Sequence, residues 1–115
     1  MRLQRRHYRI FDWFDALTDL NRSLDIEPNS SWEEKRGEVY RMLRQYHYAL
    51  NDLNKSLQIE PNNSLALSRR GDVYRMLSQY DNALNDLNNS LAIDPDNAFA
   101  LRVRFIACVI VITMH

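Results

Sequence analysis

The side chains capable of acid–base, nucleophilic or metal chemistry are few in this chain, and their spacing does not suit such work. Its three histidines are His7, His47 and His115. None pairs with another at the i, i+4 spacing of a helical metal site, and the single cysteine, Cys108, offers no cluster to join. Cys108 lies in an apolar run, so a buried, unreactive thiol is expected there, because reactivity needs an electropositive, accessible setting. Both glycines, Gly37 and Gly71, sit inside helical patterns and not in a phosphate-cradling loop. The acids recur at dispersed positions, as on solvated helix faces, and no nucleophile–base pair can be nominated. This reading predicts a chain that is not an enzyme and carries neither cofactor nor metal.

Charge points the same way. Fifteen basic side chains balance fifteen acidic ones over 115 residues, so the basic excess that usually accompanies nucleic-acid binding is missing. Residues 1–11 are the exception, with Arg2, Arg5, Arg6 and Arg9 and no acid. That segment fits either an Arg-rich transit peptide or a truncated helix of the repeat described below. No apolar run follows it, so no secretory signal is read. Five Asn-x-Ser triplets start at Asn21, Asn29, Asn54, Asn62 and Asn88. They are read as structural, the asparagines bonding across neighbouring units or to water. At the other end Phe105–Met114 reads FIACVIVITM. It is too short for a spanning helix, which needs about 20 apolar residues. A cytoplasmic protein without membrane or nucleic-acid partners is expected.

Self-comparison reveals what positions these residues. Segment 36–64 aligns with 70–98 at an offset of 34 residues, with 20 of 29 pairs identical. Ala16–Asn29 repeats Ala49–Asn62 at an offset of 33. A further copy opens after Pro95 and departs from the pattern at Phe105. The predicted organisation is a single domain, 1–115: a partial repeat 1–29, repeats 30–63 and 64–97, and a diverged opening 98–115. Each full repeat reads as two helices. Arg36, Val39, Tyr40 and Leu43 form one helical stripe, and Ala49, Leu50, Leu53, Ser56 and Leu57 another. Arg44–His47 is the expected turn, with Asp81 capping the second helix of the following copy. Pro61 and Pro95 stop that helix, and Asn62-Asn63 and Asp96-Asn97 start the next. Neither helix buries its stripe alone, so copies must stack into an all-α solenoid.

With this period, Gly37, Tyr40, Ala49, Leu53 and Pro61, then Gly71, Tyr74, Ala83, Leu87 and Pro95, resemble the tetratricopeptide repeat. Ala16, Leu20 and Pro28 match in the partial first copy. The resemblance implies a right-handed superhelical stack of antiparallel helix pairs, with each glycine under a closely crossing second helix and the tyrosine filling space between units. Departures recur. Arg36 and Arg70 replace leucine, Ser23, Ser56 and Ser90 replace alanine, and Glu33 and Leu67 take the tryptophan slot, with Trp32 one residue away.

Opposite the packing stripe of the first helix stand Glu34, Glu38, Arg41, Met42 and Gln45, and in the next copy Ser68, Asp72, Arg75, Met76 and Gln79. Periodicity says that these are not core. The resemblance implies that they line a concave groove for a peptide or partner helix, which makes the chain a non-catalytic protein-interaction scaffold. Arg41 and Arg75 could hold a partner's carboxylates, or be occupied by Glu38 and Asp72 at i, i+3. Met42 and Met76 would add adaptable apolar contact. The family's chaperone-peptide clamp of lysines, asparagines and an arginine is expected to be absent. The aligned residues are Met1, Arg5, Lys35, Leu65 and Arg69 in one frame and Glu34, Glu38, Arg69, Phe99 and Val103 in the next; Lys35 and Arg69 alone match in charge, and no asparagine is present. Alternatives are a structural fragment of a larger repeat-containing signalling protein and, more remotely, a helical-repeat RNA binder. The apolar tail predicts self-association through Phe105–Met114.

Overall fold

In the computed structural model the described residues are 10–27 and 29–114. They form α1 (Ile10–Ile26), α2 (Ser30–Met42), α3 (Tyr46–Ile59), α4 (Ser64–Met76), α5 (Tyr80–Ile93) and α6 (Ala98–Met114), with no strand among them. The Arg-rich opening up to Arg9, His7, Pro28 and His115 lie outside the described residues.

Asparagine starts each first helix. The Asn29 side chain accepts from the Ser31 and Trp32 amides at 2.9 and 3.2 Å, Asn63 from Ala66 at 3.1 Å and Asn97 from Ala100 at 3.0 Å. These bonds satisfy amides that have no partner within the helix. The turn from first to second helix is tighter than expected. Arg44 and Ser78 adopt φ of 62° and 61°, and the Gln45 and Gln79 amides reach back to the Tyr40 and Tyr74 carbonyls at 2.8 Å. This left-handed closure lets α3 begin at Tyr46, inside the expected turn Arg44–His47. Asp81 does not cap α5. Gln79 holds the cap position without a side-chain bond, and Asp81 sits in the first turn, where its charge favours the helix dipole.

Cross-helix pairs run antiparallel. Ser30 meets Ser56 at the open end, Arg36 meets Asp52 midway, and the rings of Tyr40 and Tyr48 stack at 5.3 Å near the turn. At the crossing, a Cβ on Gly37 would lie 3.0 Å from Leu53 Cγ, and one on Gly71 2.8 Å from Leu87 Cγ. The glycines therefore set the helix separation, as the resemblance implied. Each helix packs on its chain neighbours, and α4 also touches α2 and α6. The core is accordingly a series of layers. One holds Ala49, Leu53, Leu57, Ala66, Leu67 and Val73, with Tyr40 against it. The next holds Ala83, Leu87, Leu91, Ala100 and Val103, with Tyr74 against it. Six helices stacked in this order are a helical solenoid.

Candidate functional site

The first helices α2, α4 and α6 lie side by side and form a common wall. Its floor is ionic. Arg41 donates to Glu38 at 2.7 and 2.6 Å on its own helix and to Asp72 on α4 at 2.8 Å. Arg75 donates twice to Asp72, at 2.9 and 2.7 Å. Arg69 returns from α4 to Glu34, with Glu38 also in reach at 3.5 Å. Three guanidiniums thus face three carboxylates. The Arg41 guanidinium also lies 5.7 Å from the Phe99 ring centroid, which ties α2 to α6. Hydrogen bonding to Glu38 raises the pKa of Arg41 above its already high ordinary value, against the lowering effect of burial. Arg41 is a fixed charge at any working pH.

The expected groove residues therefore divide. Glu34, Ser68 and Asp72 are buried at 3%, 0% and 3% exposure, so they belong to the joint between units and not to a free face. The Ser68 hydroxyl donates to the Leu65 carbonyl at 2.8 Å. Arg41 and Arg75 are held by Glu38 and Asp72, the occupied alternative of the two open in the sequence. Met42 and Met76 remain exposed. Gln45 and Gln79 close the turns, and the Gln79 side chain accepts from Asn82 at 3.1 Å. Of the clamp positions, Met1 and Arg5 lie outside the described residues. Arg69 is taken up by Glu34 and Glu38, and Lys35 leans over the Trp32 ring at 5.9 Å. Extending the offset of 34 to α6 adds residues not named for the groove from sequence: Arg102, exposed and without an ion pair among the described residues, and Ile106 and Val109, both partly open.

A second polar system runs on the opposite side of the first helices. Arg36 forks onto Asp52 at 2.8 and 2.6 Å and reaches Asn21 of the preceding unit at 2.8 Å. Arg70 repeats this with Asp86, at 2.7 Å twice, and with Asn54 at 3.0 Å. The asparagines of the Leu-Asn-x-Ser motif do bond across units, as expected. The acids were misjudged: Asp52 and Asp86 are 1% and 2% exposed, not solvated. A helix can place a charge in its packing stripe when a guanidinium fork satisfies both oxygens. That arginine and aspartate recur together at the same offset was the available signal. Hydrogen bonds to Asp52 and Asp86 raise the pKa values of Arg36 and Arg70. Glu33, in the tryptophan slot, is also buried, and its Oε2 has no partner among the described residues. The serines at the alanine positions pair with the start of the first helix. Ser30 and Ser56 approach to 3.1 Å and Ser64 and Ser90 to 2.8 Å.

Among the described residues no group of three metal-ligating side chains converges, and no helix is long and apolar enough to cross a membrane. Cys108 is half-buried, not enclosed as expected.

Known proteins place this geometry. Residues 64–97 match the family described as Tetratricopeptide repeat. No curated protein matches the chain. Solved structures do. The first tetratricopeptide-repeat domain of Spaghetti (RPAP3), bound to the HSP90 peptide SRMEEVD, aligns with a TM-score of 0.84 at 22% identity, covering 88% of this chain and 81% of that one. The second such domain of human RPAP3, in complex with the HSP70 peptide SGPTIEEVD, gives 0.79 at 20%, covering 84% and 82%. The Arabidopsis OM64 domain gives 0.80 at 22%, covering 84% and 81%.

Proposed function

We propose that this chain, whose segment 64–97 is a tetratricopeptide repeat within a stack of the same fold, is a non-catalytic scaffold that holds a protein segment along the wall of α2, α4 and α6. Structural neighbours with this fold bind peptides ending in Glu-Glu-Val-Asp, which supports a protein or peptide partner. The carrying observation is the contrast on that wall between charges that cancel and groups left over. Arg41, Arg69 and Arg75 are bound to Glu34, Glu38 and Asp72, so they hold the wall rigid. Removing an acid to free one would cost desolvated ion-pair energy. Met42, Met76, Ile106 and Val109 supply apolar contact, and Arg102 is the cation available for a partner's carboxylate. The fitting ligand is an extended segment with apolar anchors and one acidic group.

An array of such peptides, read by binding to the whole chain, tests this. Met42→Glu with Met76→Glu is expected to abolish binding, and Arg102→Ala to weaken it about tenfold. Unchanged affinity in the methionine double variant overturns the groove. RNA binding is disfavoured, because Arg41, Arg69 and Arg75 are neutralised within the protein and leave Arg102 as the one cation of this wall free of an ion pair among the described residues. A steep salt dependence of RNA affinity would be its signature.

A further inference from the structure

The arginine ladder opposite the wall is complete in two units and open in the third. Arg36 and Arg70 each use Nη1 on an asparagine of the preceding unit and the remaining edge on the aspartate of their own second helix. Arg104 follows at the same offset. Its Nη1 donates to Asn88 at 3.1 Å, but among the described residues no carboxylate meets the rest of its fork. The surrounding face of α6 is open in the same way. Leu101 is 43% exposed where its counterpart Leu67 is 6%, and Phe105, in the glycine position, is 70% exposed. Ile112 continues that stripe. This is the face that α2 and α4 turn towards α3 and α5.

The converse stands at the other end. α1 is a second helix, with Ala16, Asp19 and Leu20 in the places of Ala49, Asp52 and Leu53. Ala49 and Leu53 are wholly buried and Asp52 nearly so. Asp19 is exposed and has no ion pair among the described residues, and Ala16 and Leu20 are half-buried. Together with Trp32, Lys35 and Val39 of α2 they line a groove of about 410 Å³. Charge is complementary as well. α1 holds Asp12, Asp15, Asp19 and Asp25 against Arg22 alone, while α6 holds Arg102 and Arg104 and no acid.

We propose that α6 of one copy docks in the α1–α2 groove of a second copy, head to tail, with Asp19 of the second copy completing the fork of Arg104. Each junction then supplies the partner helix that neither α6 nor α1 has among the described residues. Phe105 prevents the close crossing seen at Gly71, so the two helices stand further apart. Its ring enters the groove, where there is ample room, since a space of about 150 Å³ already holds benzene. Leu101, Phe105 and Ile112 leave on the order of 300 Å² of apolar surface on this face of each copy, at the lower end for a monomer's largest patch. Burying such a patch and its counterpart gives a contact below the roughly 1,200 Å² of a standard interface, the size class of weak, concentration-dependent association. Because the two surfaces differ, the contact propagates and does not stop at a dimer.

Sedimentation of the full chain across a wide concentration range reads this directly. The expected result is association that passes beyond dimer as concentration rises. Arg104→Asp and Asp19→Arg should each weaken it about tenfold or more, while the double exchange, or a mixture of the two single variants, restores it. Circular dichroism of each single variant at low concentration should match the wild type, because neither side chain holds the fold. A monomer at every concentration overturns the proposal. A ceiling at dimer that ignores Asp19→Arg overturns it in favour of α6 pairing with α6. Failure of both the double exchange and the mixture to restore association refutes the Arg104–Asp19 contact.

Discussion

α4 and α6 hold the same place in successive units. Each starts from an asparagine cap, packs its small residues on the preceding unit and carries an arginine that reaches back to an asparagine there (Asn54 or Asn88). Among the described residues only α4 of the two has a second helix across it. There Leu67, Gly71 and Arg70 become core, close crossing and ion pair; in α6 Leu101, Phe105 and Arg104 become surface, protrusion and open fork. The physical role of a residue in a stacked array is therefore fixed by which neighbour is present, and one amphipathic pattern cannot specify it.

The comparison breaks most visibly at the large apolar side chains. Leu87 is wholly buried across α4, whereas Ile112 on the corresponding outer side of α6 is 73% exposed. Leu87→Ala should cost about 3–5 kcal/mol, the upper part of the range for buried leucines, because the rigid crossing at Gly71 prevents collapse around the cavity. Ile112→Ala should cost less than about 0.5 kcal/mol in the monomer. Urea midpoints at low protein concentration measure both. Equal losses would mean that α6 is covered within the monomer.

The arginines sharpen it. Arg70→Met strands Asp86, which is 2% exposed, and is expected to destabilise by about 3 kcal/mol, at the lower end for a broken buried pair because the Arg70 side chain itself is 23% exposed. Arg104→Met removes a single bond to Asn88 and should change monomer stability by about 0.5 kcal/mol or less. Thermal melts of the two variants side by side make the test. A large loss from Arg104→Met would show that its fork is already filled.

Much of this contrast was legible in the sequence, and what was not has definite causes. The offset of 34 revealed the helix pairs and the asparagine starts, because each depends on residues close in the chain or repeated in register, and the family resemblance implied the glycine crossings. The turn boundary at Arg44 was not legible, since the left-handed geometry there falls on arginine and serine, which carry no such signal. The buried carboxylates were missed because a charge in a packing stripe reads as solvated until its partner, sixteen residues away in both units, is placed opposite it. Of the groove, the methionines were correctly placed outside the core. Glu34, Ser68 and Asp72 were not, because stacking buries a helix on more than the one face that its own period reveals.

The smallest expected effect concerns pH and sets Tyr40 on α2 against Cys108, which holds the same position on α6. Desolvation by burial raises the Tyr40 pKa above its ordinary value of 10.0; Asp52 and Tyr48 raise it further, and Arg36 opposes them. The folded chain thus favours the neutral phenol. Its contribution is fully present below the unfolded pKa and disappears as pH climbs through the higher folded value. Arg36 keeps its charge throughout, since its own pKa is raised by Asp52. Stability should therefore fall as pH passes above about 10.0, and Tyr40→Phe should flatten the start of that fall while leaving the melt near neutrality almost unchanged, because the phenyl ring retains the stacking on Tyr48. Melting temperatures of both proteins between neutral and alkaline pH measure the difference. Identical alkaline slopes would assign the fall to other tyrosines or lysines and remove Tyr40 from the account.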